Sequence, residues 1–372
     1  MDMVVIQDGP RWLTFAEPVR VVTVTGVGDV VAALREVETA VATQALYAAG
    51  FLSYEASAAF GLAVHSPVNG LPLLWFGLYE APRPSRSLSP RRSAGYHLGE
   101  WQAALGQEAY HAAIKRIKTQ IAAGNTYQVN YTFPLQADFQ GDPWGLFSDL
   151  ALAQNGGYGA YVDTGRHLVC SASPELFFRL DGDVLTAKPM KGTAVRGQTP
   201  VEDDENAAWL HQSEKNRAEN VMIVDMIRND MGRIAETGSV QVPHLFAVER
   251  YPTVLQMTST VTAKTNAALT EIFQAMYPCA SITGAPKVRT MEIIRGLEPQ
   301  PRGVYTGAIG YMAPKRQAQF NVAIRTATID RERETAVYNV GSGVVWDSDA
   351  QEEYEECLLK AKVLHEARKT AV

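Results

Sequence analysis

The sequence has little cysteine and no surplus of positive charge. Three cysteines occur in 372 residues, Cys170, Cys279 and Cys357. They are odd in number and far apart, which excludes a disulfide framework or a zinc knuckle and favours reduced thiols in a cytoplasmic protein. The chain carries 34 Lys and Arg against 40 Asp and Glu, for a net charge of −6. Without a basic excess to neutralise phosphates, nucleic acid is not an expected partner.

Long hydrophobic runs are also missing. No stretch of about 18 apolar residues is present, so neither a transmembrane helix nor a membrane partner is predicted. The N-terminal MDMVVIQDGPRW lacks the basic segment and apolar core of a signal peptide. Apolar residues make up 46% of the chain and charged residues 20%, which is typical of globular proteins. We therefore predict a cytoplasmic enzyme.

The apolar pattern predicts long strands with helices inserted between them. Strands are predicted at 21–24, in FLSYEASAAFGLAV and LPLLWFGLYE, in TYQVNYTFPLQADF, LVCSASPELFFRL and DVLTAKPM, and in GVYTGAIGYM, FNVAIRTATI and TAVYNVGSGVVW. Helices are predicted at 30–50, 107–123, 213–228, from 284–286 to 296, and at 351–368. This order favours an α+β sandwich over alternating βαβ units.

A composition shift divides the chain. Residues 81–92, APRPSRSLSPRR, are rich in Pro, Ser and Arg, lack periodicity and predict an exposed connection. Residues 1–92 would then form an N-terminal part of the sandwich with this connection, and 93–372 the catalytic region. Because a sheet-rich enzyme can use this length for a single core, we expect one structural domain overall.

A short basic segment, TAKPMKGTAVR at 186–196, is the first candidate for chemistry. Lys191 lies between Met190 and Gly192, and the small neighbour lets other groups approach the backbone. A lysine becomes a nucleophile when a low-dielectric site or a nearby cation lowers its pKa. Taken alone, Lys191 would be interpreted as a solvated loop lysine.

Carboxylates in two segments could hold a hard cation. Glu219 lies in the predicted helix around NRAEN, and Glu353 and Glu356 are three residues apart on one face of the last helix. Magnesium prefers such oxygen ligands, completed by water and substrate oxygens. Exposed helix glutamates are also often merely solvated, and Lys360 fits a surface salt bridge to Glu356.

Groups that could bind an anion follow in the C-terminal part. Arg325 lies in FNVAIRT, and Gly341 and Gly343 in VGSGVVW could offer peptide N–H groups to a carboxylate. Glu175, beside Pro174, could act as a general acid or could be a turn residue. These features permit a site for an anion and magnesium without requiring one.

Taken together, ordered motifs between Gln107 and Leu364 resemble the chorismate-using enzymes. The motifs are GNTYQVN, SASPELFF, KPMKGT, NRAENVMIVDMIRNDMGRIAETGSVQVP, ASITGAPKVRTMEIIRGLEP, GAIGYM, FNVAIRT and GSGVVWDS. The first 80 residues match this family loosely, mainly around FLSYEA. The family includes anthranilate synthase component I, aminodeoxychorismate synthase component I, and the isochorismate and salicylate synthases.

The resemblance implies a large two-sheet antiparallel sandwich with outer helices and a site between the sheets. It implies that Mg²⁺ is held against a substrate carboxylate by Glu219, Glu353 and Glu356. Glu175 would protonate the departing ring hydroxyl. The residues implied to bind the substrate are Arg325, Tyr311, Lys360, Gly341, Gly343, Thr193, Gln128 and Thr283.

Two positions indicate the branch of the family. Isochorismate and salicylate synthases carry a water-activating lysine where this chain has Gln128, and a neutral amide cannot act as that base. Anthranilate synthases usually have alanine where this chain has Lys191. The lysine resembles that of the aminodeoxychorismate synthase component I branch, where it is thought to attack ring carbon 2 as the 4-hydroxyl leaves. Ammonia then enters at carbon 4, giving 4-amino-4-deoxychorismate, the precursor of 4-aminobenzoate and folate.

The resemblance also implies partners. No cysteine lies in a Gly-x-Cys-x-Gly elbow, so we expect a separate glutamine amidotransferase subunit to supply ammonia, and a separate lyase to release pyruvate. Two alternatives stay open: anthranilate formation, and a silent subunit that only binds chorismate. The chain departs from its relatives at Asn216, often an acid there, and at Gln256, often histidine.

Overall fold

The computed structural model describes residues 2–68, 70–88, 95–154, 157–251 and 254–361. The strands are β1 (Met3–Asp8), β2 (Arg11–Phe15), β3 (Arg20–Val24), β4 (Tyr47–Leu52), β5 (Leu74–Tyr79), β6 (Arg83–Ser85), β7 (Tyr96–Leu98), β8 (Gln102–Ala103), β9 (Gln128–Gly141), β10 (Ala160–Asp163), β11 (His167–Ser171), β12 (Leu176–Asp181), β13 (Val184–Lys188), β14 (Met190–Val195), β15 (Gln241–Arg250), β16 (Val254–Lys264), β17 (Gly284–Ala285), β18 (Ala308–Ala313), β19 (Gln317–Val322), β20 (Thr326–Asp330) and β21 (Thr335–Val344). The helices are α1 (Val30–Gln44), α2 (Gln107–Ala122), α3 (Pro143–Gln154), α4 (Pro200–Gln212), α5 (Glu214–Gly232), α6 (Leu269–Met276), α7 (Lys287–Leu297) and α8 (Ala350–Ala361).

These strands form two antiparallel sheets, which confirms the predicted α+β sandwich. The first sheet has the order β17-β9-β21-β20-β11-β10-β1-β2-β6, with β7 and β8 also paired to β9. The second has the order β14-β16-β13-β12-β19-β18-β4-β5-β3, with β15 paired to β16. Strands from before residue 92 therefore lie in both sheets. Apolar side chains fill the space between the sheets, among them Val4, Phe15, Phe51, Val162 and Ile309.

Helices cover the outer faces. Helices α1, α5 and α6 pack on the second sheet, and their apolar residues belong to one cluster with those of the sheet. Helices α2, α3 and α8 contribute to the cluster on the first sheet. Within the described ranges, no helix is both long and apolar enough to cross a membrane.

Two segments predicted as single strands instead cross from one sheet to the other. LVCSASPELFFRL divides into β11 in the first sheet and β12 in the second, and FNVAIRTATI divides into β19 in the second and β20 in the first. The chain leaves one sheet and enters the other at Pro174–Glu175 and at Arg325, whose φ is +51°. These crossings bring Glu175 and Arg325 to the space where the two sheets meet.

Two predicted helix ends were wrong, and the predicted end of a third helix lies outside the described residues. The helix predicted to reach Gly50 ends at Gln44, after which Ala45 is left-handed and β4 begins. A side chain at Gly50 would lie 1.9 Å from the Trp75 carbonyl oxygen, so glycine serves close strand pairing here and does not end a helix. Gly296 lies inside α7, which begins after Pro286. The last helix is described to Ala361, and the rest of its predicted range lies outside the described residues.

The predicted connection at 81–92 contains a short strand. β6 pairs with β2 at the edge of the first sheet through Arg83–Ser85. Residues 89–94 lie outside the described part of the chain. The edge position suits this segment because a proline in an edge strand leaves no internal hydrogen bond unmade.

Candidate active site

Lys191 lies where the two sheets meet. It belongs to β14, not to a loop, and β14 is held in the second sheet by β16. A methyl group added at Gly343 of β21 would lie 3.1 Å from the Lys191 Nζ and 2.5 Å from the Gln128 Nε2. Strands β9 and β21 are paired in the first sheet, with Asn130 opposite Gly343. Lys191, Gln128 and Gly343 therefore form one cluster, built from three strands of both sheets.

The Gln128 carboxamide is buried without hydrogen-bond partners. Its side chain is 1% exposed, and neither Oε1 nor Nε2 bonds to another group in the described part of the chain. A buried amide without partners costs free energy, so such a group in a folded protein calls for a specific explanation. A polar ligand beside Lys191 and Gly343, accepting from Nε2 or donating to Oε1, would provide such an explanation.

Glu175 is the buried acid of the cluster. It is 2% exposed, and burial raises the pKa of its carboxyl to about 7. The charge of Lys191, the Ser281 hydroxyl and the Met190 backbone N–H act against this shift by favouring the carboxylate. Its Oε1 is buried and has no hydrogen-bond partner among the described residues. A carboxyl with this pKa can hold a proton near neutral pH and give it to a bound group.

Three carboxylates stand next to this cluster. Burial raises the pKa of Glu219 on α5; the charge of Lys191 lowers it, and Glu353 and Glu356 on α8 raise it again. The three acids thus share the electrostatic environment of the nucleophile candidate. Within the described ranges, no three His, Cys, Asp or Glu side chains converge tightly enough to enclose a metal ion. The donors nevertheless fit Mg²⁺, which usually binds one or two carboxylates and keeps water and substrate oxygens as its other ligands.

Lys360 connects α8 to the glycine-bearing strand. Its Nζ lies 2.6 Å from the Glu356 Oε1 and donates to the Gly341 carbonyl oxygen at 2.9 Å. The salt bridge expected from the spacing is present, and it lies beside the site. The Lys360 side chain also lowers the pKa of Glu356, although burial acts in the opposite direction.

Arg325 lies at a sheet crossing with two tyrosines that the sequence did not suggest. Burial lowers the pKa of its guanidinium, and the hydroxyls of Tyr338 and Tyr251 act in the opposite direction. Tyr338 is on β21 and Tyr251 follows β15. No local spacing relates the two to Arg325, so only the three-dimensional structure could show this neighbourhood.

Both departures from the family pattern touch the strand of Lys191. Gln256 lies opposite Thr193, accepts a hydrogen bond from the Thr193 hydroxyl at 3.2 Å, and donates to the Gly192 carbonyl at 3.1 Å. Gly192 has φ +94°, and a side chain there would come within 3.0 Å of the Asn216 Cβ. Thr193 therefore braces the strand through Gln256.

Two other predicted substrate-binding residues are engaged elsewhere. The Thr283 hydroxyl donates within its own turn, to the carbonyls of Cys279 and Ala280. The Tyr311 ring lies 6.1 Å from the Phe15 ring in the core between the sheets. The described contacts of Tyr311 do not include the residues around Lys191, because its place on β18 directs the ring to that core.

A methyl group at Gly343 tests the geometry of the cluster. We expect Gly343→Ala to lower kcat by about 10- to 100-fold, because the ends of the Gln128 and Lys191 side chains must move by a fraction of an ångström or more. The melting temperature should change little, since both contacts are with flexible side-chain ends. Gly296→Ala, which meets no atom within 4 Å, is the matched control and should keep full activity. Unchanged kinetics in Gly343→Ala would contradict the assignment of this cluster.

Comparison with known proteins identifies the family. The chorismate binding enzyme family matches residues 6–366. Aminodeoxychorismate synthase component 1 of Salmonella typhimurium is 38% identical over 74% of this chain and 61% of its own length. The Klebsiella aerogenes protein of the same name is 41% identical over 72% of the chain and 59% of its own length. Anthranilate synthase component 1 of Cereibacter sphaeroides is 38% identical over 74% of this chain and 55% of its own length. The chain thus spans about three fifths of the length of these relatives.

Solved structures show the same fold. Anthranilate synthase component I from Streptococcus pneumoniae superposes with a TM-score of 0.83 at 24% identity, covering 97% of this chain and 92% of its own. The menaquinone-specific isochorismate synthase from Escherichia coli superposes with a TM-score of 0.79 at 18% identity, covering 99% of this chain and 88% of its own. With a family match across almost the whole sequence, and with this fold, the chain belongs to the chorismate-binding enzymes.

Proposed function

We propose that the protein aminates chorismate with ammonia, in a magnesium-dependent reaction that gives 4-amino-4-deoxychorismate for 4-aminobenzoate and folate synthesis. The observation that carries the proposal is the position of Lys191, whose Nζ lies against Gly343 and Gln128 and whose charge acts on Glu175. A nucleophile and a proton donor are therefore neighbours in a buried site between two sheets.

The proposed reaction has two displacement steps. After Lys191 has released its proton to solvent, its amine attacks ring carbon 2, the ring double bonds shift, and the bond between carbon 4 and its hydroxyl breaks as Glu175 gives that oxygen a proton. Ammonia then attacks carbon 4, the double bonds shift back, and the Lys191 amine leaves carbon 2. Covalent catalysis of this kind divides one difficult displacement into two easier ones.

Charge neutralisation is the second requirement, because chorismate is a dianion. Arg325, Lys360 and the Gly343 amide would hold its carboxylates. Bound Mg²⁺ would supply Lewis-acid neutralisation of one carboxylate, held by Glu219, Glu353 and Glu356. The electrostatic coupling of these three acids supports that placement.

Similarity to characterised relatives supports amination at carbon 4 but also gives a second candidate. The Klebsiella aerogenes and Salmonella typhimurium relatives are named aminodeoxychorismate synthase component 1, whereas the Cereibacter sphaeroides relative is named anthranilate synthase component 1 and is comparably similar. Lys191 favours the first. Formation of anthranilate, by amination at carbon 2 and loss of pyruvate, is the runner-up.

We further propose that ammonia comes from a separate glutamine amidotransferase in the cytoplasm. The relatives are named component 1, which implies a second component. All three cysteines here are buried and unpaired, so none is exposed to attack glutamine. Burial raises the pKa of Cys170, Cys279 and Cys357, which keeps these thiols protonated and inert.

Product analysis tests the reaction and the partner together. The purified chain should convert chorismate to 4-amino-4-deoxychorismate with Mg²⁺ and ammonium, as read by mass spectrometry, and should be inactive with glutamine in place of ammonium. If the products are anthranilate and pyruvate, the second candidate function, anthranilate formation, is correct instead. Glutamine-supported turnover by the pure chain would contradict the separate amidotransferase, and chorismate binding without turnover would indicate a silent subunit.

A further inference from the structure

The strand that carries Lys191 is irregular at that residue. The register of β14 with β16 includes the pairs Met190–Thr258 and Thr193–Gln256. Between these pairs β14 has two residues, Lys191 and Gly192, whereas β16 has one. An extra residue of this kind is a β-bulge, which bends the strand and re-aims the side chains at that point. The direction of the Lys191 side chain therefore depends on the bulge.

Gly192 gives the bulge its backbone conformation. Its φ of +94° lies in the region that favours glycine. A side chain there would also lie 3.0 Å from the Asn216 Cβ. Asn216 belongs to the first turn of α5, where its Nδ2 donates to the hydroxyl of the N-cap residue Ser213 at 2.9 Å. The bulge is therefore packed closely against the start of α5.

The Gln256 carboxamide ties the bulge to β16. The Gln256 side chain is buried, with the residue 7% exposed. Its Nε2 donates to the Gly192 carbonyl oxygen at 3.1 Å, and its Oε1 accepts from the Thr193 hydroxyl at 3.2 Å. Because a bulge interrupts the hydrogen-bond ladder, the backbone groups there need partners outside it. One side chain thus bonds to both residues that follow Lys191.

We propose that Gln256 is a positioning residue, which fixes the bulge so that the Lys191 amine stays beside Gln128 and Gly343. A methyl group at Gly343 would lie 3.1 Å from the Lys191 Nζ, so little freedom is left for this amine. The inference rests on the proposed function in requiring Lys191 to be the nucleophile. Since the role needs no contact between Gln256 and the substrate, loss of the carboxamide should slow the step after chorismate has bound.

Gln256→Met tests the proposal, because methionine keeps the length of the side chain but lacks the amide that bonds to Gly192 and Thr193. We expect kcat of the ammonium-supported reaction to fall about tenfold, with little change in the KM for chorismate. Thr193→Val removes only the second hydrogen bond and should lower kcat about threefold. The double variant should be no slower than Gln256→Met, because both changes act through one side chain.

The matched control is Gln319→Met, in β19 of the same sheet. Gln319 is 2% exposed, and its Nε2 donates to the Gln7 carbonyl oxygen at 2.9 Å. This change therefore also removes a buried carboxamide that bonds to the backbone. Both variants should melt at a lower temperature than wild type, but Gln319→Met should keep the wild-type kcat. A purely structural role of Gln256 would give the two variants the same kinetics.

Hydrogen exchange in the ligand-free protein tests the bulge without the reaction. Mass spectrometry of a peptide covering residues 186–196 should show faster exchange in Gln256→Met than in wild type, and no change in Gln319→Met. This measurement does not depend on which product the enzyme forms. It therefore separates a failure of the positioning role from a failure of the proposed function, which Lys191→Ala and the product analysis test.

Several results would overturn the proposal. Exchange at residues 186–196 or kcat could be unchanged in Gln256→Met, or KM could rise at normal kcat, which would place Gln256 against the substrate. Multiplicative losses in the double variant would also contradict it, since Thr193 would then act independently. If Gln256→Met does not fold, as judged by circular dichroism, Thr193→Val decides the question through the same two measurements. Wild-type exchange and wild-type kcat in that variant would equally refute the proposal.

Discussion

Lys191→Ala is expected to abolish amination, with kcat lowered on the order of 10³-fold or more, because no other group in the cluster can form the bond to ring carbon 2. The variant should fold normally, since Lys191 is half-buried at the edge of the second sheet and is not part of the apolar core. Chorismate should still bind, because the groups proposed to hold its carboxylates lie on other elements. The measurement is the rate of 4-amino-4-deoxychorismate formation with saturating ammonium and Mg²⁺.

The control for that experiment is a lysine from the same segment. Lys188 lies three residues earlier and pairs with Glu249 at 2.5 Å, so Lys188→Ala removes a nearby positive charge without removing the proposed nucleophile. We expect it to keep activity within a few-fold of wild type. Equal losses in both variants would mean that general charge, not nucleophilicity, is what Lys191 supplies.

The covalent step can be observed directly. With chorismate and Mg²⁺ but no ammonium, intact-protein mass spectrometry should show wild type carrying chorismate less one water. Lys191→Ala should carry nothing. Absence of the adduct in wild type, together with normal amination, would argue for direct attack by ammonia at carbon 4 and against the lysine mechanism.

Glu175→Gln is expected to produce the second large effect. A positioned general acid contributes about 10² to 10⁴ in rate, and the amide keeps the shape of the side chain but cannot transfer a proton. The variant should therefore lose most of kcat with little change in KM. The neighbouring Glu219→Gln would be expected to impair the Mg²⁺ dependence instead, so a Mg²⁺ titration distinguishes the two carboxyls.

The pH profile gives an independent test of Glu175. Burial raises the pKa of this carboxyl to about 7, so the protonated form that donates is abundant below pH 7 and is lost above it. Activity should accordingly decline as pH rises through about 7 to 8, and Glu175→Gln should lack this decline in its residual rate. A wild-type rate that stays level to pH 9 would show that another group supplies the proton.

Local patterns predicted the element types better than the connections between them. The helix at 107–123 was predicted from apolar spacing and is present as α2 at Gln107–Ala122, because its apolar face packs on a sheet. The apolar and aromatic residues of LVCSASPELFFRL predict one strand. The two-residue period of side chains in a strand does not show that the first half of this segment pairs in one sheet and the second half in the other.

The sequence motifs indicated only some of the residues that lie at the site. Lys191, Glu175, Gln128 and Gly343 were selected from motifs, and the structure places them together. Tyr311 was also selected, but the structure directs its ring to the core beside Phe15. A motif marks a strand, while the pleat and pairing of that strand decide which side of the sheet a given residue faces.

The sequence by itself determined the antiparallel α+β class and the family, and it supplied most of the residues proposed for the site, because these depend on local spacing and on motifs within single segments. Only the tertiary structure decided that Glu175 and Arg325 stand at sheet crossings, and that Arg302 joins the 280–282 turn to β9 by donating to the Ile282 and Asn130 carbonyls. It also showed Tyr338 and Tyr251 beside Arg325. The physical reason is that burial and electrostatic coupling depend on distances between residues far apart in the chain, which strand order and register set and which no local pattern encodes.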